Sequence, residues 1–244
     1  MRYDYYWYNA NKKIDLRRVK GFGALAQTVI ERGRTYLKHD RLYSLWQAVG
    51  QLDSDELAIA EIGAYRGGSA RFVAEALHRH GRANRFYVCD TFCGHVSVDD
   101  RVDGPHQVGR QFMKASYDKV VRYLRPFPNV RVLEGDFRET CRELDGEDGF
   151  ALVHIDVDVY PITRCCLDYF ADRLVLVGVM VVDDYGFLTC TGAKQAVDEF
   201  VSARTGFWRL HLLTAQAVLI KTSVDEIDED TIDRDISEGS NAGG

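Results

Sequence analysis

The sequence predicts an α/β domain: a mostly parallel β-sheet covered on both faces by helices and entered through a helical N-terminal extension. Two observations carry this expectation. From Leu57 onward, short apolar runs alternate with amphipathic helical patterns. Runs of that kind belong to strands buried on both faces, joined by helical crossovers. Before Leu57, apolar residues recur at helical spacing instead. A chain of 244 residues suits one medium-sized domain with a full core.

The first 55 residues carry two helical patterns, "FGALAQTVIERGRTYL" and "RLYSLWQAVGQL". Five strand candidates follow: "LAIAEIG", "RFYVCD", "VRVLEGD", "FALVHID" and "LVLVGVMVVDD". Between them lie the helical patterns "GSARFVAEALHRH", "VGRQFMKASYDKVVRYL", "ETCRELD" and "ITRCCLDYFADRL". The helix "GAKQAVDEFVSAR" and two last strand candidates, "FWRLHLL" and "AVLIKT", bring the sheet to seven strands. Residues 1–55 therefore read as an extension, 56–222 as the α/β domain and 223–244 as an acidic, disordered tail.

Composition narrows the partners. The chain is 46% hydrophobic and 28% charged with a net charge of −6, which argues against a general grip on nucleic acid. No apolar stretch approaches the roughly 20 residues of a membrane span, and the start "MRYDYYWYNANKK" lacks the apolar core of a signal peptide. The six cysteines show no zinc-like CxxC pair and read as reduced thiols of a cytoplasmic protein. The aromatic start (Tyr3, Tyr5, Tyr6, Trp7, Tyr8) is a candidate interface arm of a homo-oligomer.

Right-handed crossovers put the carboxyl ends of parallel strands on one edge, where open α/β sheets bind ligands. The polar motifs fall there. "EIGAYRGGSA" (Glu61 to Ala70) ends the first strand and opens a helix; Gly63, Gly67 and Gly68 permit a tight turn and close approach to a ligand. A tight turn alone is the alternative. Asp90 ends the second strand 27 residues beyond Gly63, where an acid commonly holds ribose hydroxyls; a cap or turn aspartate is the other reading. Asp136, in "EGDF", suits an adenine's amino group or a helix cap.

Asp156 and Asp158 end the fourth strand, and Asp183 and Asp184 end the fifth. If those strands pair, about 4.7–4.9 Å apart, four carboxylates converge. Unpaired, they repel and some stay protonated; a hard divalent cation such as Mg²⁺ resolves the conflict. Solvent exposure or helix capping of some of them is the alternative.

In this order, "EIGAYRGGSA", "DTFCG", "HIDVDVY", "GVMVVDDYG" and "GAKQAVDEF" resemble the macrocin O-methyltransferase family, over roughly Leu57 to Phe200. The resemblance implies a Rossmann-like class I methyltransferase sheet with an antiparallel last strand, and S-adenosylmethionine and Mg²⁺ as cofactors. It implies an acceptor hydroxyl on a sugar of a small glycosylated natural product, with residues 1–55 capping the substrate. It places Glu61, Gly63, Ser69 and Asp90 at the adenosylmethionine site with Asp136 near the adenine. Asp156, Asp183 and Asp184 become the metal ligands, and Asp158 the carboxylate nearest the hydroxyl, a candidate general base. The family often has a proline shortly after "DTF-G", whereas this chain continues with His95 and acids, which leaves the acceptor open. His95 and His106 are rival bases in a lid loop where solvated histidines are the commoner case. His154, inside the fourth strand, reads as a hydrogen-bonded core residue, and Arg66 as a carboxylate partner or a surface residue. A catechol-type O-methyltransferase and a non-catalytic nucleotide-binding α/β protein remain open.

Overall fold

In the computed structural model of the chain, which describes residues 15–223, the seven apolar runs all form strands. They are β1 (Ala58–Ile62), β2 (Phe86–Asp90), β3 (Val130–Glu134), β4 (Phe150–Ile155), β5 (Leu174–Val182), β6 (Phe207–His211) and β7 (Ala217–Lys221). They make one sheet in the order β3-β2-β1-β4-β5-β7-β6. β1 to β5 pair in parallel, and β7 runs antiparallel to both β5 and β6. The expected antiparallel last strand is therefore present. The aromatic start and the acidic stretch beyond Ser223 lie outside the described residues.

Consecutive residues of a central strand divide between the two faces, as the period of two requires. Ile59, Leu152 and Val181 pack on one face, with Phe22, Leu42, Leu45 and Phe72. Ala60, Val153 and Met180 pack on the other, with Phe150, Phe170 and Phe200. The first layer holds α1 (Phe22–Glu31), α2 (His39–Gly50) and α3 (Gly68–Arg79). Edge-to-face contacts of Phe22 with Tyr43 (5.1 Å) and Phe72 (5.8 Å) join the N-terminal helices to α3. The extension thus packs into the sheet's own core. α4 (Tyr117–Leu124), α5 (Phe137–Thr140), α6 (Tyr160–Arg173) and α7 (Thr191–Ala203) complete the crossovers. No helix among the described residues is long and apolar enough to cross a membrane.

One helix is shorter than its sequence pattern. The pattern running from Val108 to Leu124 yields only α4, because Gly109 (φ +65°) and Phe112 (φ +60°) break it. Residues 91–116 instead form an irregular lid. Phe112 sets its edge against Tyr65 and His95, each at 5.4 Å. Buried Asp103 pins the lid down: its carboxylate accepts from the backbone N–H of Tyr160 (2.7 Å) and of Asp99 (2.6 Å). A Cβ at Gly192 would meet Asp103 Oδ1 at 1.8 Å, so only glycine lets α7 come this close.

Candidate active site

The carboxyl ends of the parallel strands open into a cleft of about 490 Å³. Gly63 leaves β1 with φ +94°, and a Cβ there would lie 1.8 Å from the carbonyl oxygen of Asp156. Gly68 is packed against the backbone of Arg34, 2.7 Å from the carbonyl oxygen to where its Cβ would be. These glycines serve close backbone packing, and Gly63 also lines the cleft. Buried Ser69, in the first turn of α3, lines it too. Arg66 donates to the carbonyl of Gly33 (3.0 Å).

Asp90, at the end of β2, lines the cleft with both carboxylate oxygens tied down. Oδ2 accepts from the Tyr65 N–H and Oδ1 from the Phe92 N–H, each at 2.6 Å. Burial outweighs these bonds and pushes Asp90 up to about 6. Each oxygen keeps a lone pair for a further donor. Asp136 also lines the cleft but caps α5, accepting from the Arg138 N–H (3.0 Å) and pairing with the Arg138 guanidinium. Burial is outweighed there, and Asp136 is held below the usual carboxylate range.

Glu61 does not reach the cleft. Fully buried, it faces its register partner His154 across the β1–β4 pair, with Oε1 3.1 Å from Nδ1. The other ring nitrogen lies 3.6 Å from Asp183 Oδ1. Burial opposes a charged imidazole, but Asp183 and Glu61 prevail and raise His154 to about 10. His154 thus lies buried between two carboxylates that favour its charged form. Asp183, also fully buried, accepts from Gln216 Nε2 (2.7 Å) and from Arg41 Nη1 on α2. Burial would raise Asp183, yet His154, Arg41 and Gln216 together hold it below the carboxylate range.

Asp156, Asp183 and Asp184 each offer an oxygen within 4.8 Å of the others. Asp156 and Asp184 line the cleft and lack the compensation Asp183 has. Burial pushes both well above the carboxylate range; Asp183 adds to the effect on Asp156, and Asp158 to that on Asp184. Three converging carboxylates, two of them under-compensated, form an all-oxygen donor set that fits a hard divalent cation.

Asp158 sits beside this set in a turn closed by the Val159 N–H and the Val157 carbonyl (2.7 Å). Its φ of +63° is unusual for a non-glycine residue, and such strained turns recur at functional sites. The turn aims its N–H at Asp184 Oδ2 (3.1 Å) and brings Oδ1 within 3.5 Å of Cys190 Sγ. Burial raises the carboxylate despite opposing effects of His106 and Cys190. His95 Nε2 lies 3.9 Å from Asp158 Oδ2, on a side chain only 8% exposed. Burial and the neighbouring His106 lower His95 to about 4, so it is neutral near pH 7. Both lid histidines are therefore tucked against the acids: His106 is buried with Nε2 3.0 Å from the Thr189 carbonyl. The expectation of solvated lid histidines fails because Phe112 and Asp103 fold the lid inward.

Sequence reasoning missed Arg41 and Gln216. Arg41 lies on amphipathic α2 and Gln216 in the turn just before β7, and neither belongs to a motif. All six cysteines are free.

A family model described as macrocin-O-methyltransferase (TylF) matches residues 10–218. A Streptomyces olivaceus protein named 8-demethyl-8-(2,3-dimethoxy-alpha-L-rhamnosyl)-tetracenomycin-C 4'-O-methyltransferase is 28% identical over 186 residues, 66% of this chain and 68% of that protein. Demethyldecarbamoylnovobiocin O-methyltransferase of Streptomyces niveus is 28% identical over 152 residues, 58% of this chain and 57% of that protein. Among solved structures, the O-methyltransferase NovP superposes with a TM-score of 0.64 at 23% identity, over 78% of this chain and 83% of that one. The calicheamicin methyltransferase CalS11 does so with 0.60 at 16% identity, over 87% and 98%. At these identities the structural likeness is one of fold.

Proposed function

The chain belongs to the macrocin O-methyltransferase family and is an S-adenosylmethionine-dependent O-methyltransferase, and we propose that its acceptor is a sugar hydroxyl of a glycosylated natural product, bound as a vicinal diol at a Mg²⁺ site. The observation that carries this reading is the convergence of Asp156, Asp183 and Asp184 within 4.8 Å, with Asp158 beside them at the cleft. The names of the Streptomyces relatives support the acceptor class.

S-adenosylmethionine would supply an electrophilic methyl group, and Asp156, Asp183 and Asp184 would hold Mg²⁺, whose positive charge would acidify and orient a diol. The remaining work falls to the chain itself. Asp90, fixed by the Tyr65 and Phe92 N–H groups, is preorganised to accept ribose hydroxyls. Ser69, in the first turn of α3, suits the donor's carboxylate, and Gly63 lines the same cleft. The lid, through Phe112 and its aromatic neighbours, keeps water from the reacting hydroxyl. Asp158 accepts the hydroxyl proton at a carboxylate oxygen. Its raised proton affinity makes it a better base than a solvated aspartate. Arg41 holds Asp183 in place, and both Arg41 and His154 favour its ionised form.

The test is a panel of glycosylated and catecholic acceptors incubated with the protein and S-adenosylmethionine, with products read by mass. Methylation of sugar-bearing acceptors, lost in Asp158→Asn while donor binding persists, supports the reading. Methylation of catechols alone, or undiminished turnover in Asp158→Asn, overturns it.

A further inference from the structure

A second group of metal-binding atoms lies on the lid side of the cleft. His106 Nε2 is 3.7 Å from Cys190 Sγ, and Cys190 Sγ is 3.5 Å from Asp158 Oδ1. The three ligand atoms lie within 4.8 Å of one another. A tetrahedral zinc site with bonds of about 2.0–2.3 Å separates its nitrogen, sulfur and oxygen ligands by roughly 3.5 Å. The two spacings to Cys190 Sγ match that of a formed site, and the His106–Asp158 pair lies within 4.8 Å. An independent feature points the same way. His95 Nε2 is buried, has no hydrogen-bond partner among the described residues, and faces the cluster 3.9 Å from Asp158 Oδ2.

We propose that His106, Asp158 and Cys190 form a binding site for a borderline-soft divalent cation of the Zn²⁺ class, distinct from the all-oxygen set of Asp156, Asp183 and Asp184. A thiolate and an imidazole favour such ions, whereas Mg²⁺ selects oxygen. The thiolate and the carboxylate neutralise the ion's two charges, and the thiol proton leaves to solvent. His106 exchanges its contact with the Thr189 carbonyl (3.0 Å) for the metal, its ring proton moving to Nδ1. The fourth position takes a water that His95 Nε2 can accept from.

The consequence rests on the proposed role of Asp158 as base. An ion held there occupies the oxygen that would accept the hydroxyl proton and bars the acceptor from that end of the cleft. Zn²⁺ would then switch methyl transfer off while Mg²⁺ sustains it.

The test is a Co²⁺ titration of the full chain saturated with Mg²⁺, followed by absorbance. A thiolate-to-cobalt charge-transfer band that saturates at one equivalent, is displaced by Zn²⁺ and vanishes in Cys190→Ser is expected. His106→Asn should weaken Co²⁺ binding about tenfold or more, which keeps the test intact if the serine variant fails to fold. Absence of the band, an equal band in Cys190→Ser, or unchanged affinity in His106→Asn overturns the proposal. With Mg²⁺ saturating, Zn²⁺ should also suppress methyl transfer by the wild type and spare Cys190→Ser, each relative to its own Mg²⁺-supported rate without Zn²⁺. If the band behaves as stated and no methyl transfer occurs on any acceptor, the metal site stands and the functional reading fails.

Discussion

Arg41 Nη1 donates to Oδ2 of Asp183, tying α2 to the carboxyl end of β5. The arginine side chain is 14% exposed and the aspartate fully buried. Asp183 therefore owes part of its charged state to a residue 142 positions away.

Breaking that pair strands a buried carboxylate. Arg41→Met should lower the unfolding free energy by about 3 kcal/mol in urea denaturation without added metal. Mg²⁺ should restore part of the loss, because a bound cation replaces the missing charge. A variant as stable as the wild type would show that the other partners of Asp183 suffice.

Asp158→Asn keeps the turn and its N–H contact to Asp184 and removes the base. kcat should fall by roughly 10²–10⁴-fold, with calorimetric affinity for S-adenosylmethionine unchanged. A drop in donor affinity without a drop in kcat would assign Asp158 to the cofactor instead.

The fold and half of the site are legible in the sequence for the same reason: strand ends are local. "HIDVDVY" and "VVDDYG" disclose their carboxylates because each apolar run stops where the aspartates begin. The partners of those carboxylates are not local. Arg41 and Gln216 reach Asp183 from elements whose own patterns speak only of packing. Glu61 looks like part of the glycine turn, yet strand alternation points it at His154. The lid misleads because Phe112 and Gly109 adopt positive φ, which helical periodicity cannot register. Asp136 illustrates the reverse case, in which the modest alternative, a helix cap, is the observed geometry.

The lid should open when its anchor goes. Asp103→Ala deletes acceptors for the Tyr160 and Asp99 N–H groups and should cost about 1–2 kcal/mol, as loss of a helix cap does. Hydrogen exchange should quicken across residues 95–112 and stay unchanged in β4. Uniform exchange across the domain would contradict a local anchoring role.

His95 should leave a mark on the pH dependence of stability. Its folded value of about 4 lies below the ordinary 6.5, so the unfolded chain binds more protons between those limits. Its contribution is complete above pH 6.5 and is lost as pH falls toward 4. Asp90, raised to about 6, acts in the opposite sense: stability declines as pH rises from 3.8 to 6. Subtracting the His95→Gln profile from that of the wild type isolates the histidine. The difference should climb with pH across that window, by no more than one proton's slope. A flat difference would mean that His95 stays solvated.

The most direct test of the central claim follows methyl transfer from S-adenosylmethionine to a sugar-bearing acceptor by mass, in chelator and again after Mg²⁺ is restored. Transfer should cease in chelator, return with Mg²⁺, and fail to return in Asp184→Asn. Transfer that continues at its original rate in chelator would contradict a metal role for Asp156, Asp183 and Asp184.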